Sequence, residues 1–146
     1  EKERVSHEEG ETLSLTCGKP EGDVDYLADG WDFQFINGYA FSGHPWTSDI
    51  KHCWADFKSL EFSIICPKRV SGTLRLYILD GDNFAGGRKE SITVEGRLVG
   101  EFSNFQSGRW VDIPISPEDT ADGMINVVIK PINGNAVVSL IKFIAR

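Results

Sequence analysis

The chain has 146 residues and a formal net charge of −7, with hydrophobic residues making up 40% of it. A nucleic-acid-binding protein needs a basic face, so the acidic balance argues against a nucleic-acid partner. No apolar run approaches the ~20 residues that span a bilayer, so we expect no membrane partner. A chain of this length can bury a core without help from a metal ion or a disulfide, so we expect residues 1–146 to form one domain with no cofactor.

Apolar alternation broken by turn residues recurs along the chain, and no segment keeps a helical period. Nine strands are predicted, at residues 11–17, 31–36, 60–66, 73–80, 91–95, 98–102, 110–115, 124–132 and 136–144. The Asn133-Gly134 pair between the last two is favoured in turns that need a positive φ. Short strands separated by Gly, Asn, Asp and Pro are typical of sandwiches. The predicted fold class is all-β, an antiparallel two-sheet jelly-roll β-sandwich with under ~10% helix.

Residues 80–88 alternate acidic and amide side chains, as calcium-binding loops do. The Glu at the twelfth position of the helical calcium motif is missing, and no helices flank the segment. We interpret it as a turn in which Asp and Asn side chains accept backbone N–H groups. Arg88 is predicted to pair with Asp80 or Asp82.

Three cysteines, Cys17, Cys53 and Cys66, are an odd number and cannot form a complete disulfide framework. Cys17 and Cys66 end strand-like runs, so we expect both to be small buried side chains. The sequence does not decide whether Cys53 and Cys66 form a disulfide bridge.

Aromatic residues are concentrated in the segment that follows Gly30. This segment contains Trp31, Trp46 and Trp54 together with Phe33, Phe35, Tyr39 and Phe41. Residues 37–56 show no strand pattern, and we predict a long loop there. Flat rings stack on the C–H faces of sugars, which makes a glycan the first ligand class to consider. The alternative is that these rings fill one end of the core, but we predict that at least one of Tyr39, Trp46 and Trp54 is exposed.

The same segment holds the candidate catalytic and metal-binding groups. His44 and His52 lie near Asp49, and a His–Asp pair can act as a general base. A zinc site drawn from the two His and Cys53 lacks the paired spacings of structural zinc motifs. The sequence has no nucleophile–base motif and no paired-carboxylate motif, so we predict neither enzyme activity nor a metal site.

Residues 72–144 include GTLRLYILDGDNFAGGRKESITVEGRLVGEF and GRWVDIPISPEDTADGMINVVIKPINGNAVVSLIKFI. In these stretches the chain resembles the galactose-binding-like jelly-roll domains, similar to carbohydrate-binding modules, that are appended to bacterial polysaccharide-degrading enzymes. The resemblance implies a structural role for Trp110. Many such domains hold a calcium ion through acidic residues of the first and last strands, but the last strand here, SLIKFIAR, has none. The opening EKERVSHEEG, without an initiator Met or an apolar signal core, fits a domain excised from a larger multidomain protein.

The leading hypothesis is a noncatalytic carbohydrate-binding module that targets a secreted bacterial glycoside hydrolase or polysaccharide lyase to glycan. Its partners would be a poly- or oligosaccharide and a fused catalytic domain, in a monomeric protein that is extracellular or at the cell surface. The predicted site has three parts. Its stacking rings are Tyr39, Trp46 and Trp54, its hydroxyl partners are His44, Asp49 and Lys51, and its rim residues are Asn83 and Arg88. The alternative is a structural β-sandwich domain that packs against a catalytic domain without binding sugar. Exposure of Trp46 and Trp54 separates the two hypotheses.

Overall fold

The computed structural model describes residues 9–42 and 50–146, and the elements below are those of this part of the chain. The strands are β1 (Glu11–Thr16), β2 (Val24–Leu27), β3 (Asp32–Asn37), β4 (Tyr39–Ser42), β5 (His52–Asp56), β6 (Leu60–Ile65), β7 (Gly72–Ile78), β8 (Lys89–Val94), β9 (Arg97–Ser103), β10 (Arg109–Ile115), β11 (Met124–Asn133), β12 (Ala136–Val138) and β13 (Leu140–Ala145). One 3-10 turn, Phe84–Gly86, lies between β7 and β8. The all-β prediction is confirmed. No helix in the described ranges is long and apolar enough to cross a membrane.

Two five-stranded sheets form the sandwich, with the strand orders β10-β7-β13-β1-β2 and β3-β6-β11-β8-β9. A third, short sheet has the order β12-β5-β4. The strand pairs are antiparallel, for example β7 with β10 and β8 with β11. The core lies between the two large sheets because each strand turns alternate side chains inward. In β7, Leu74, Leu76 and Ile78 are fully buried, whereas Arg75 and Tyr77 occupy the outward positions.

Trp110 lies on the outer face of the first sheet, on the same side of β10 as Asp112. The guanidinium carbon of Arg75 is 4.4 Å from the centroid of the Trp110 ring, and the Tyr77 ring centroid is 5.1 Å away. Arg75 Nε also donates to Asp112 Oδ1 at 2.7 Å. The half-buried indole is therefore covered by its neighbours in the sheet, as the structural interpretation expects.

The strand predicted at residues 136–144 divides at Ser139. β12 pairs with β5, whereas β13 pairs with β7 and β1, so the chain changes sheets at this residue. The N–H of Ser139 donates to the carbonyl of Tyr77, and its own carbonyl accepts the N–H of Cys17. These two bonds hold the crossover against the first sheet and bring β12 to the end of the sandwich.

The prediction of a long loop without strands at residues 37–56 was wrong, because β4 and β5 occupy both ends of this segment. β5 carries no alternation that a sequence pattern would reveal. Cys53, Trp54 and Ala55 are all buried, so side chains on both faces of this strand are covered. β2 was also missed, because this short edge strand has four residues and none of them is buried.

All three cysteines are buried free thiols, so the Cys53–Cys66 disulfide that the sequence left undecided is absent. Burial raises the pKa of Cys53 to about 12 and that of Cys66 to about 11, and it also raises the pKa of Cys17. The thiols are therefore protonated and act as small apolar side chains, as expected for Cys17 and Cys66.

Candidate functional site

A cleft of about 260 Å³ opens at the end of the sandwich beside the short sheet. Strand β4, the β5–β6 and β7–β8 connections and the β11–β12 turn meet there. The lining residues of the cleft are Tyr39, Phe41, Phe57, Asp82, Phe84, Arg88 and Asn135. Four of these are aromatic and three are polar or charged, a composition typical of sites that bind small amphipathic ligands.

Strand register decides which rings of the short sheet reach the cleft. Tyr39 pairs with Ala55 and Phe41 pairs with Cys53, so these four side chains share one face. Trp54 lies between Cys53 and Ala55 on β5 and therefore points to the opposite face.

Trp54 does not serve as an exposed stacking ring, and this part of the predicted site is corrected. It is 2% exposed and packs against Phe33, Phe35 and Phe62, with ring centroids 5.8, 4.7 and 5.5 Å away. The ring fills the space between the short sheet and β3 and β6. Trp54 therefore fills the core, as the alternative interpretation of the aromatic rings expected.

Three exposed rings form one wall of the cleft. Tyr39 is 37%, Phe57 is 58% and Phe84 is 38% exposed. The rings of Tyr39 and Phe57 are 24° from parallel with centroids 6.4 Å apart, and the rings of Phe57 and Phe84 meet edge to face with centroids 6.1 Å apart. The prediction that at least one of the three chosen rings is exposed is confirmed by Tyr39.

Phe57 is presented by a tight turn between β5 and β6. Asp56 Oδ2 accepts the N–H groups of Lys58 and Ser59, each at 2.8 Å. An Asp side chain that bonds to the backbone two and three residues ahead closes the turn and satisfies its N–H groups. Phe57 therefore projects from the middle of a turn whose conformation does not depend on burying the ring.

The floor of the cleft is a hydrogen-bonded polar cluster centred on Arg88, which is 3% exposed. Its Nη1 atom donates to Asp80 Oδ1 and to Asp82 Oδ1, both at 2.6 Å, and its Nε atom donates to Asn135 Oδ1 at 2.6 Å. Asn135 Nδ2 in turn donates to the Tyr39 hydroxyl at 3.0 Å. This network ties the aromatic wall to the floor, so a ligand would meet groups that are already held in place.

The prediction that Arg88 pairs with Asp80 or Asp82 is confirmed, and it pairs with both. Asp80 also accepts the backbone N–H of Arg88 at 2.8 Å and that of Phe84 at 3.3 Å. The carboxylate of Asp80 therefore closes the β7–β8 loop in the way that was predicted for a turn.

The β11–β12 turn holds the β7–β8 loop against the cleft. Asn133 Nδ2 donates to the carbonyls of Ala85 and Gly87, at 3.0 and 2.7 Å. Gly134 has a φ of +76°, and a Cβ on it would lie 3.2 Å from both Phe84 Cδ2 and Arg88 Cγ. The turn thus needs glycine both for its backbone conformation and for the close approach of the neighbouring side chains.

Glu90 is fully buried on β8, close to the guanidinium of Arg88. Its Oε1 atom accepts the N–H of Val137 at 2.8 Å, whereas Oε2 has no hydrogen-bond partner. Burial raises the pKa of Glu90 to about 8, although the Val137 N–H and the charge of Arg88 both act to lower it. The carboxyl is therefore mainly protonated at neutral pH, which removes one negative charge from the space behind the cleft floor.

The other predicted site residues fall in several places. His44, Trp46 and Asp49 lie outside the described residues. Lys51 is exposed just before β5 and does not line the cleft. Asn83 lies next to the cleft, where its Oδ1 atom accepts Gln106 Nε2 at 3.0 Å. Of the five predicted residues that the structure describes, only Tyr39 and Arg88 are brought together in the cleft.

Sequence reasoning missed Phe57, Phe84 and Asn135 as site residues. Phe57 and Phe84 are each a single apolar ring within an otherwise polar turn, which is the pattern that would have identified them. Asn135 was assigned only to a turn, and its role depends on contacts with Arg88 and Tyr39 that are distant in sequence.

The described parts of the chain contain no group of three His, Cys, Asp or Glu side chains that could hold a metal ion. His52 and Cys53, two of the residues considered for zinc, are consecutive on β5 and point to opposite faces. In the cleft, Asp82 is committed to an ion pair with Arg88.

No family model matches the chain, and no curated protein matches it. Solved structures do match. A calcium-binding mutant of β-glucuronidase 2 from Bacteroides uniformis aligns with 92% of this chain and 18% of its own, at a TM-score of 0.66 and 15% identity. The ANX2 ectodomain from Arabidopsis thaliana aligns with 93% of this chain and 50% of its own, at a TM-score of 0.68 and 11% identity. The chain shares the jelly-roll β-sandwich fold of these segments.

An exo-β-1,3-galactanase from Phanerochaete chrysosporium aligns less closely, at a TM-score of 0.51 and 12% identity over 92% of this chain and 29% of its own. At these identities the β-sandwich fold is shared, and the residues of any site are not carried over. The chain spans half or less of each of these three proteins.

Proposed function

We propose that this galactose-binding-like domain is a noncatalytic carbohydrate-binding module and that the cleft beside the short sheet is its site. The observation that carries the proposal is the pairing of an exposed aromatic wall with a polar floor whose side chains are hydrogen-bonded to one another. Rings that only fill a core have no need of such a floor. A sugar needs both surfaces, since each of its rings has apolar C–H faces and a rim of hydroxyl groups.

Different side chains of the cleft would contact the apolar faces and the hydroxyl groups of a sugar. Phe57 and Phe84 offer flat apolar surface for stacking, and Tyr39 adds a ring that carries a hydroxyl. Asp82 and Asn135 provide polar atoms in the lining of the cleft. One or two stacked rings with a few hydrogen bonds correspond to dissociation constants on the order of 10 µM to 1 mM, roughly −4 to −7 kcal/mol.

A weak site of this kind is useful when it is tethered to an enzyme. A fused module raises the effective concentration of its catalytic partner at the substrate without any new contact. We propose that the partner is a secreted glycoside hydrolase or polysaccharide lyase. Support comes from the fold, which is shared with segments of a β-glucuronidase and an exo-β-1,3-galactanase.

A second candidate function is a structural domain that docks on a catalytic domain. The burial of Trp54 favours this alternative, because exposure of Trp46 and Trp54 was expected of a sugar-binding module. The exposure of Phe57 also favours it, because a large apolar side chain on the surface is often covered by a partner. The two candidates differ in whether the isolated chain binds sugar.

The test is a glycan array probed with the 146-residue chain, followed by calorimetric titration of the glycans that bind. Phe57→Ala should weaken binding about thirtyfold, since an aromatic anchor commonly contributes about 2 kcal/mol. Leu98→Ala is the matched control, because Leu98 is an exposed apolar residue of β9 that does not line the cleft. If no glycan binds, or if Phe57→Ala keeps the parent affinity, the cleft is not a sugar site and the structural-domain alternative replaces it.

A further inference from the structure

The charge balance of the cleft indicates which glycans it accepts. Among the described residues that line it, Arg88 is the cation and Asp82 is the anion. Asp80 is fully buried behind them and also contacts the guanidinium. Among these described residues, one guanidinium against two carboxylates leaves one uncompensated negative charge at the cleft floor.

We propose that the cleft selects neutral sugars and rejects sugars that carry a carboxylate, such as uronic acids. This inference rests on the proposed function and names the ligand class of the same site. An arginine in a sugar-binding cleft ordinarily indicates the opposite, because a guanidinium binds a carboxylate through two parallel N–H···O bonds. In this cleft the protein's own oxygens already occupy those positions.

A ligand carboxylate would bind one of two edges of the Arg88 guanidinium, and on each edge a donor already bonds to a side-chain oxygen of the protein. One edge includes Nε, which donates to Asn135, and the other includes Nη1, which donates to Asp80 and Asp82. A uronate would have to displace one of these acceptors. It would also approach Asp82, a like charge that lines the cleft.

A neutral sugar meets the opposite situation. The Asp82 side chain is 32% exposed, so its carboxylate can accept a charge-assisted hydrogen bond from a hydroxyl group of the ligand. The Tyr39 hydroxyl accepts a hydrogen bond from Asn135 and keeps its own hydrogen for an oxygen of the ligand. Sugar hydroxyls donate and accept, so they satisfy both groups without adding charge.

Glu90 does not reverse this selectivity in either protonation state. It is buried behind the floor near Arg88 and is neutral when protonated. When ionised, it adds a second uncompensated negative charge. The cleft therefore disfavours anionic sugars on both sides of the Glu90 titration.

Matched glycans test the inference directly. The probes are β-galactan, β-glucan and β-mannan oligosaccharides, each compared with the same oligosaccharide after oxidation of its C6 hydroxymethyl groups to carboxylates. Binding to the 146-residue chain is measured by calorimetry and by NMR titration at neutral pH and low salt. We expect the neutral form to bind at least about tenfold more tightly than the oxidised form. The ratio should shrink in about 0.5 M NaCl, because salt screens the repulsion.

Asp82→Asn identifies the source of the selectivity, because Asn keeps an oxygen acceptor and removes the charge. The affinity ratio should fall to within about threefold in this variant. Asp112→Asn is the matched control, since it also removes a carboxylate that is paired with an arginine, Arg75, but lies outside the cleft. It should keep the parent ratio. If Asp82→Asn fails to fold, the salt dependence of the parent chain decides the question.

The outcomes separate this inference from the function on which it rests. Oxidised forms that bind as tightly as neutral forms, or more tightly, would overturn the neutral-sugar inference and leave the carbohydrate-binding function standing. A ratio that persists unchanged both in Asp82→Asn and at high salt would overturn the assignment to charge. No binding of any glycan would overturn both proposals.

Discussion

Glu90→Gln tests the protonation state of the carboxyl behind the cleft floor. Gln has nearly the same shape as Glu, keeps an oxygen that can accept the Val137 N–H, and cannot ionise. In the parent chain, burial raises the pKa of Glu90 from an ordinary value of 4.5 to about 8. Between these two pH values, Glu90 therefore takes up a proton when the chain folds.

The sign and size of the effect follow from this linkage. Since the folded-state pKa of Glu90 is raised, its contribution to stability is complete below pH 4.5 and is lost as the pH rises to about 8. One proton changes the free energy of unfolding by about 1.4 kcal/mol per pH unit. Between about pH 5.5 and about pH 7.5, the parent chain should lose about 3 kcal/mol relative to Glu90→Gln.

The assay is urea unfolding followed by tryptophan fluorescence at both pH values, with the slope m fitted for each curve. Glu101→Gln is the control, because Glu101 is exposed on β9 and its removal should leave the pH profile of the parent chain unchanged. Parallel pH profiles for the parent chain and Glu90→Gln would refute the reasoning. They would mean that Glu90 is ionised in the folded state and stabilised by Arg88.

Three further predictions concern the core and the turns. Trp54→Ala should cost about 3–5 kcal/mol of stability because it empties a buried aromatic site, and a melting temperature within a degree of the parent's would contradict this placement. Gly134→Ala should destabilise the domain more than Gly96→Ala. Both glycines have φ near +80°, but only Gly134 has side chains, including Phe84, within 4 Å of where a Cβ would lie. Equal melting temperatures of the two variants would show that backbone strain alone is involved. The three buried cysteines should react with a thiol reagent only after unfolding, and rapid reaction of the native chain would contradict their burial.

Local patterns in the sequence determined much of the architecture. Leu74, Leu76 and Ile78 alternate with polar or amphipathic residues, and only a strand places such a set on one face. The Asn133-Gly134 pair predicted a turn with a positive φ, and Gly134 has one. These features depend on bonds between near neighbours in the chain, so a short window of sequence contains the information.

The pairing of Arg88 with Asp80 and Asp82 was predictable for the same reason. All three belong to one loop, and the carboxylates lie close enough along the chain for the guanidinium to reach both. The prediction that at least one of Tyr39, Trp46 and Trp54 is exposed holds for Tyr39. Its place beside Arg88 was not predictable, because that depends on Asn135, which follows a different turn.

Only the tertiary structure decided which aromatic rings are available to a ligand. Trp54 is buried and Tyr39 is exposed because β5 pairs with β4 in one particular register, and a shift of one residue would exchange the two faces. Phe57 and Phe84 come from separate connections and meet only when the sandwich closes. A sequence pattern records the spacing of residues along one element, whereas a binding cleft depends on the distance between elements, which the packing of the whole domain sets.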